Sequence, residues 1–113
     1  MMALTLLNDT LGSDKLYALV NNAGVMGNTG QVTPEEVIQT NLHGVKHMTD
    51  AFNMLIDQDI GRIVNVGSGG GPMFVKQLPD QDKIAWYSQS QNWNDIIQRV
   101  EAQMKVIGAG FPV

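Results

Sequence analysis

The sequence predicts an α/β fold: a short parallel sheet made by one βαβ unit, with an additional C-terminal helix. Three observations predict it. The apolar run from Leu16 to Val20 ends in Asn21-Asn22-Ala23-Gly24, two amides followed by a small-residue turn. Arg62-Ile63-Val64-Asn65-Val66-Gly67-Ser68 repeats that grammar, an apolar strand closing on a polar residue set among glycines. Between them lies one long helical periodicity, so a crossover helix joins the two strands and they run parallel, with both following loops on one edge of the sheet. That edge is where open α/β sheets bind ligands.

The elements follow in order. Met1-Met2-Ala3-Leu4-Thr5-Leu6-Leu7 is apolar but lacks a basic flank, is short for a secretion signal and runs directly into Asn8-Asp9, so it reads as the end of a helix. Leu16 to Val20 has the nearly continuous apolar character of a strand covered on both faces. Gly24, Gly27 and Gly30 spread permissive backbone through the loop after it. Thr33-Pro34-Glu35-Glu36 opens the crossover helix with a hydroxyl cap, proline at the first helical position and a glutamate placed for a capping box. The apolar stripe of that helix is Val37, Ile38, Leu42, Val45, Met48, Phe52, Leu55 and Ile56, and Gly61 is its stop. Arg62 to Val66 is the second strand, and Gly67-Ser68-Gly69-Gly70-Gly71-Pro72 breaks regular structure. Met73 to Tyr87 mixes Pro79, charges and isolated aromatics and reads mostly as loop. Trp93, Ile97, Val100, Met104 and Ile107 return at helical spacing, with Asn92 or Asn94 as cap and Gly108 as terminator.

At 113 residues the chain is expected to form one domain, residues 1–113, and its 43% hydrophobic and 16% charged content is that of a globular protein. A net charge of -4 with no basic stripe argues against nucleic acid as a partner. The sequence holds no cysteine, which removes disulfides, thiolate zinc sites and a cysteine nucleophile, and points to a reducing, cytoplasmic setting. No apolar run approaches the length of a membrane span, so no membrane partner is expected. Asn8-Asp9-Thr10 matches the glycosylation sequon, an accidental match in the absence of a secretion signal.

Several residues stand out chemically. Asn41 lies on the helical stripe rather than on the polar side, and a buried amide must find partners. Gly44, within a turn of it, is costly inside a helix, and together they suggest a locally opened helix that exposes a carbonyl or holds a water. The plainer alternative is an asparagine that bonds a neighbouring strand loop. Ser68 projects from a strand end into a glycine-rich turn, where a ligand would reach its hydroxyl; a simple turn-former is the competing reading. The glycine run makes a poor phosphate cradle, because Pro72 stands where the dinucleotide fingerprint needs its last glycine. His43 and His47 are four apart but lack a third ligand, so no metal site is expected. Trp86, Tyr87 and Trp93 are read as core or rim aromatics.

Asn21-Asn22-Ala23-Gly24, then Asn41-Leu42-x-Gly44, then Arg62-Ile63-Val64-Asn65-Val66-Gly67-Ser68 resembles the ordered motif set of the short-chain dehydrogenase/reductase family. The resemblance covers residues 15 to 71 closely and implies a partial Rossmann-like, NAD(P)-binding domain. Carried over by position, Asn21, Ala23 and Gly24 would line the cofactor pocket and brace the central sheet, with Val66 a further cofactor contact. Asn41 would offer its backbone to a water of the proton relay. Ser68 would be the catalytic serine that hydrogen-bonds the substrate carbonyl oxygen. The implied cofactor is NADP or NAD, with NADP favoured, and the implied substrate is a small carbonyl compound or alcohol.

The family's Thr-Gly-x-x-x-Gly-x-Gly turn, which holds the pyrophosphate at a helix start, has no counterpart before Leu16. Its Tyr-x-x-x-Lys is missing as well, since Tyr87 is followed four positions later by Gln91. The pattern is similar to the branch of monomeric carbonyl reductases and salutaridine reductase, in which an inserted helical segment, here Ile96 to Ile107, delays the tyrosine. The expectation is therefore a central fragment, inactive by itself and prone to self-association through exposed sheet edges. A non-catalytic Rossmann-like binding or assembly module is the alternative.

Overall fold

The computed structural model describes residues 2–27, 30–106 and 108. The chain divides into two compact units, Met1–Val66 and Gly67–Val113.

The first unit opens with helix α1, Met2–Leu11, which ends where Gly12 takes a positive φ of 59° and donates its N–H to the Asn8 carbonyl. Strand β1 spans Ala18–Asn21 and strand β2 Arg62–Asn65. They pair in parallel with Ala18 opposite Arg62 and Asn21 opposite Asn65, and a further parallel bridge joins Leu16 to Ile56. The α/β class and the parallel pairing are as the sequence implies. Each strand is shorter than its apolar run: Leu16 contributes only the isolated bridge, and Val66 extends the ladder by one N–H to the Asn21 carbonyl at 2.9 Å.

The crossover begins as expected. Thr33 Oγ1 accepts from the Glu36 N–H at 3.2 Å while Glu36 Oε2 accepts from the Thr33 N–H at 2.7 Å, a complete capping box with Pro34 in the first turn. The helix is not continuous, however. Helix α2, Pro34–Ile38, gives way to a π-helical turn at Gln39–His43, then to α3, Gly44–Phe52, and a 3-10 turn at Asn53–Leu55. Phe52 and Ile56, at the end of the apolar stripe, are the buried hydrophobics of this unit among the described residues.

Gly61 acts differently from a helix stop. The helical run has already ended at Leu55, and residues 57 to 61 fold into a tight turn. Asp57 Oδ1 accepts from the Asp59 and Ile60 N–H groups at 2.9 and 3.1 Å, and the Gly61 N–H donates to the Asp57 carbonyl at 2.9 Å. A Cβ on Gly61 would stand 2.2 Å from that carbonyl oxygen, so only glycine closes the turn.

Two expectations about coverage and loops are corrected. β1 is not covered on both faces: Val20 is 56% exposed, and every residue of β2 is exposed. A two-stranded sheet with a single crossover supplies one covering layer, whereas purely parallel sheets are normally covered by helices on both sides. Gly67 to Gly69 do break regular structure, but the rest of the glycine run and most of the segment after it are helical rather than loop. The second unit contains α4, Gly70–Lys76, α5, Asp80–Tyr87, and α6, Trp93–Val106. Pro72 lies in the first turn of α4, where no intrahelical N–H is required, and Pro79 precedes α5 with Asp80 and Asp82 in its first turn. Prolines that looked like breakers are helix starts.

Helix α6 follows its sequence signals. Asn92 Oδ1 accepts from the Asp95 N–H at 2.9 Å, and Gly108, at φ 75°, donates its N–H to the Lys105 carbonyl at 3.1 Å. Met104 is buried and Ile97 and Val100 are half-buried, while Ile107 and Phe111-Pro112-Val113 lie outside the described residues. Trp86 and Phe74 meet in a T-shaped pair with centroids 5.7 Å apart, and the Arg99 guanidinium lies 5.4 Å from the Trp86 ring centre, so this indole packs within its unit.

Candidate functional site

At the carboxyl end of β1, Asn21 is 8% exposed, the buried polar residue among those described. An unpaired buried amide costs about 1–3 kcal/mol. Its Nδ2 avoids that cost by donating to Asn65 Oδ1 at 2.8 Å and to Thr49 Oγ1 at 3.2 Å. The Asn21 side chain therefore ties β1 to β2 and to α3 at the end of the sheet. Asn22, Ala23 and Gly24 follow as exposed residues.

Asn41 sits within the π turn, so the local opening read from Asn41 and Gly44 is present, with the Gly44 N–H donating to the Gln39 carbonyl five residues back. Its burial is a correction: Asn41 is exposed, not part of the covered stripe. The extra residue of a π turn shifts the helical phase by about 100°, which takes the side chain off the core face. It bonds the loop after β1, as the plainer reading of this asparagine has it. Oδ1 accepts from the Val25 N–H at 2.8 Å and Nδ2 donates to the Val25 carbonyl at 2.9 Å, so one amide clamps both backbone groups of one residue. A Cβ on Gly24 would stand 3.4 Å from Asn41 Oδ1, and one on Gly27 3.1 Å from Val37 Cγ2. The loop thus lies closely on the opened helix.

Between the end of β1 and this helix is a cavity of about 220 Å³, lined by Leu19, Val20, Asn21, Asn22, Ala23, Thr40, Gly44, Val45 and Met48. It gathers Asn21 and Ala23. Gly24 and Asn41 adjoin each other in the loop, and Val66 touches Asn21 through the backbone. Ser68 belongs to the second unit. Its side chain is exposed and its Oγ accepts from the Gly70 N–H at 3.1 Å, while its carbonyl accepts from the Gly71 N–H at 3.2 Å. Because the hydroxyl accepts that bond, its own hydrogen remains available to donate.

His43 and His47 stand with ring centroids 6.2 Å apart and tilted by 44°. Thr49 and Val25 are partners of Asn21 and Asn41 that sequence reasoning missed. A threonine on a helix flank and a valine in a loop carry no local signal, and only the spatial meeting with Asn21 and Asn41 reveals them.

With that arrangement in view, the comparisons define the class. The short chain dehydrogenase family model matches residues 6–80, and the chain belongs to that family of oxidoreductases. It is similar to the short-chain dehydrogenase/reductase family 9C member 7 of Bos taurus, 38% identical over 73 residues, covering 59% of this chain and 23% of that protein. It is also similar to the mitochondrial D-beta-hydroxybutyrate dehydrogenase of Bos taurus, 43% identical over 63 residues, covering 51% of this chain and 18% of that protein. The chain therefore spans about a fifth of the length of these curated relatives. No solved structure matches it significantly.

Proposed function

We propose that this chain is the central part of an NAD(P)-dependent short-chain reductase that interconverts a small carbonyl compound and its alcohol. The observation that supports this best is the end of the sheet. Asn21 and Asn65 face each other there on adjacent parallel strands, above a helix opened at Asn41. The small, exposed residues that follow Asn22 at the cavity suit the close approach of a dinucleotide, so Asn21, Ala23, Gly24 and Val66 are the proposed cofactor contacts. The cofactor, when bound, supplies the hydride.

In this reading Ser68 donates its hydroxyl hydrogen to the substrate oxygen and stabilises the negative charge that develops there. Gly70 holds the serine oxygen by its N–H and so limits the rotamers available to it. Asn41 spends its side chain on Val25, and in this reading its backbone carbonyl, within the π turn, holds a relay water. The general acid would be a tyrosine with a neighbouring lysine, and no Tyr-x-x-x-Lys occurs in these 113 residues. The proposal is therefore that the chain by itself does not turn over. The helical segment including α6 supports a place near the monomeric carbonyl reductases and salutaridine reductase, and the preference for NADP and the cytoplasmic setting rest on the resemblance and composition alone.

Purified chain mixed with NADPH or NADH and a panel of aldehydes, ketones and alcohols is expected to show no cofactor consumption or formation above background. Steady turnover abolished by Ser68→Ala would overturn the proposal that the chain is inactive alone, and would place the general acid elsewhere in it.

A further inference from the structure

We infer that Thr49 is a positioning residue for the cavity at the end of β1, acting through Asn21. The inference rests on the cofactor reading above only for the identity of the ligand. An amide nitrogen has two N–H groups, and Asn21 gives one to Asn65 Oδ1 and one to Thr49 Oγ1. With both donors spent, the polar atom that Asn21 can offer a ligand is its carbonyl oxygen, an acceptor. Thr49 is thus one of the two anchors that decide which end of the amide is presented. Without it, the amide can rotate and exchange an acceptor for a donor.

Thr49 is well placed to act this way. It follows Met48 on α3, and Gly44, Val45 and Met48 of the same helix line the cavity with Asn21 and Ala23. One helix therefore supplies both the wall of the cavity and the hydroxyl that orients its polar residue. The ligand group this arrangement accepts is a hydrogen-bond donor, a hydroxyl or an amide N–H, such as a dinucleotide carries on its ribose and carboxamide. An anionic phosphate is disfavoured at this position, because an amide oxygen offers it no donor.

The test compares Thr49→Val, which keeps the shape and removes the acceptor, with Thr49→Ser, which keeps the hydroxyl. Two readouts are taken on the 113-residue chain well below its unfolding temperature: the side-chain amide resonances of Asn21 by nitrogen-edited NMR, and affinity for NADPH by titration. In Thr49→Val the Asn21 amide signals are expected to move upfield and broaden, and NADPH affinity to fall about tenfold, with Thr49→Ser restoring both. Unchanged Asn21 signals in a folded Thr49→Val chain would overturn the inference. So would a loss in Thr49→Val that Thr49→Ser fails to recover. If unsubstituted chain shows no NADPH binding, the cofactor reading fails, and the Asn21 resonances still decide the role of Thr49.

Discussion

Asn41 and Gly61 show how much one residue settles locally. The clamp on Val25 uses both ends of one amide, so Asn41→Ala removes two hydrogen bonds together and leaves the Val25 backbone to water. A loss of about 1–2 kcal/mol in urea titration is expected, since each such bond contributes roughly 1 kcal/mol net. Hydrogen exchange at the Val25 amide should accelerate with it, and an unchanged rate would mean that the clamp does not hold the loop. Gly61→Ala acts by collision, because the new carbon would lie 2.2 Å from the Asp57 carbonyl oxygen and 2.3 Å from Ile56 Cγ2. The turn must open to accept it, at a cost on the order of 2–4 kcal/mol, which thermal unfolding would report. The glycine was visible in the sequence as a stop, but the sequence did not show that it closes a turn.

At the scale of elements, the turn from 57 to 61 carries a pH dependence. The Ile60 and Asp59 N–H groups bond the Asp57 carboxylate and, with a smaller contribution from Lys15, hold its pKa below the ordinary 3.8, against a weaker upward push from desolvation. A carboxyl whose folded pKa is depressed stabilises the folded form above its unfolded pKa and loses that contribution as pH falls through the folded value. The Asp59 and Ile60 amide signals should accordingly shift in acid below the ordinary aspartate range, and Asp57→Asn, which keeps the acceptor but not the charge, should abolish that titration. The capping box at α2 was readable from Thr33-Pro34-Glu35-Glu36 because every partner lies within four residues. The start of α4 at Gly70 was not readable, since glycine and proline have low intrinsic helix propensity and the first turn tolerates what the interior does not.

For the whole molecule, the two strands leave much apolar surface in water. Val20, Ile63, Val64 and Val66 are 56%, 41%, 46% and 55% exposed. Backbone edges of parallel strands with such side chains invite pairing with another chain. Size-exclusion chromatography over a range of concentrations is expected to show self-association, and thermal unfolding a broad transition. A sharp monomer peak with cooperative melting would instead establish a self-sufficient module and favour a binding or assembly role over a catalytic one.

The sequence by itself determined the strand pair, its parallel sense, the crossover between the strands, the capped starts at Thr33 and Asn92 and the family. The structural features rest on periodicity and on contacts between near neighbours along the chain, and the family on the ordered motifs from Asn21 to Ser68. Only the tertiary structure decided that the opening read at Asn41 and Gly44 is a π turn, that Asn41 leaves the core face and that its loop partner is Val25, and that Thr49 and Asn65 share the amide of Asn21. These meetings join residues 16, 28 and 44 positions apart. A hydrogen bond across such distances depends on where the folded backbone brings its partners, and no local pattern encodes that.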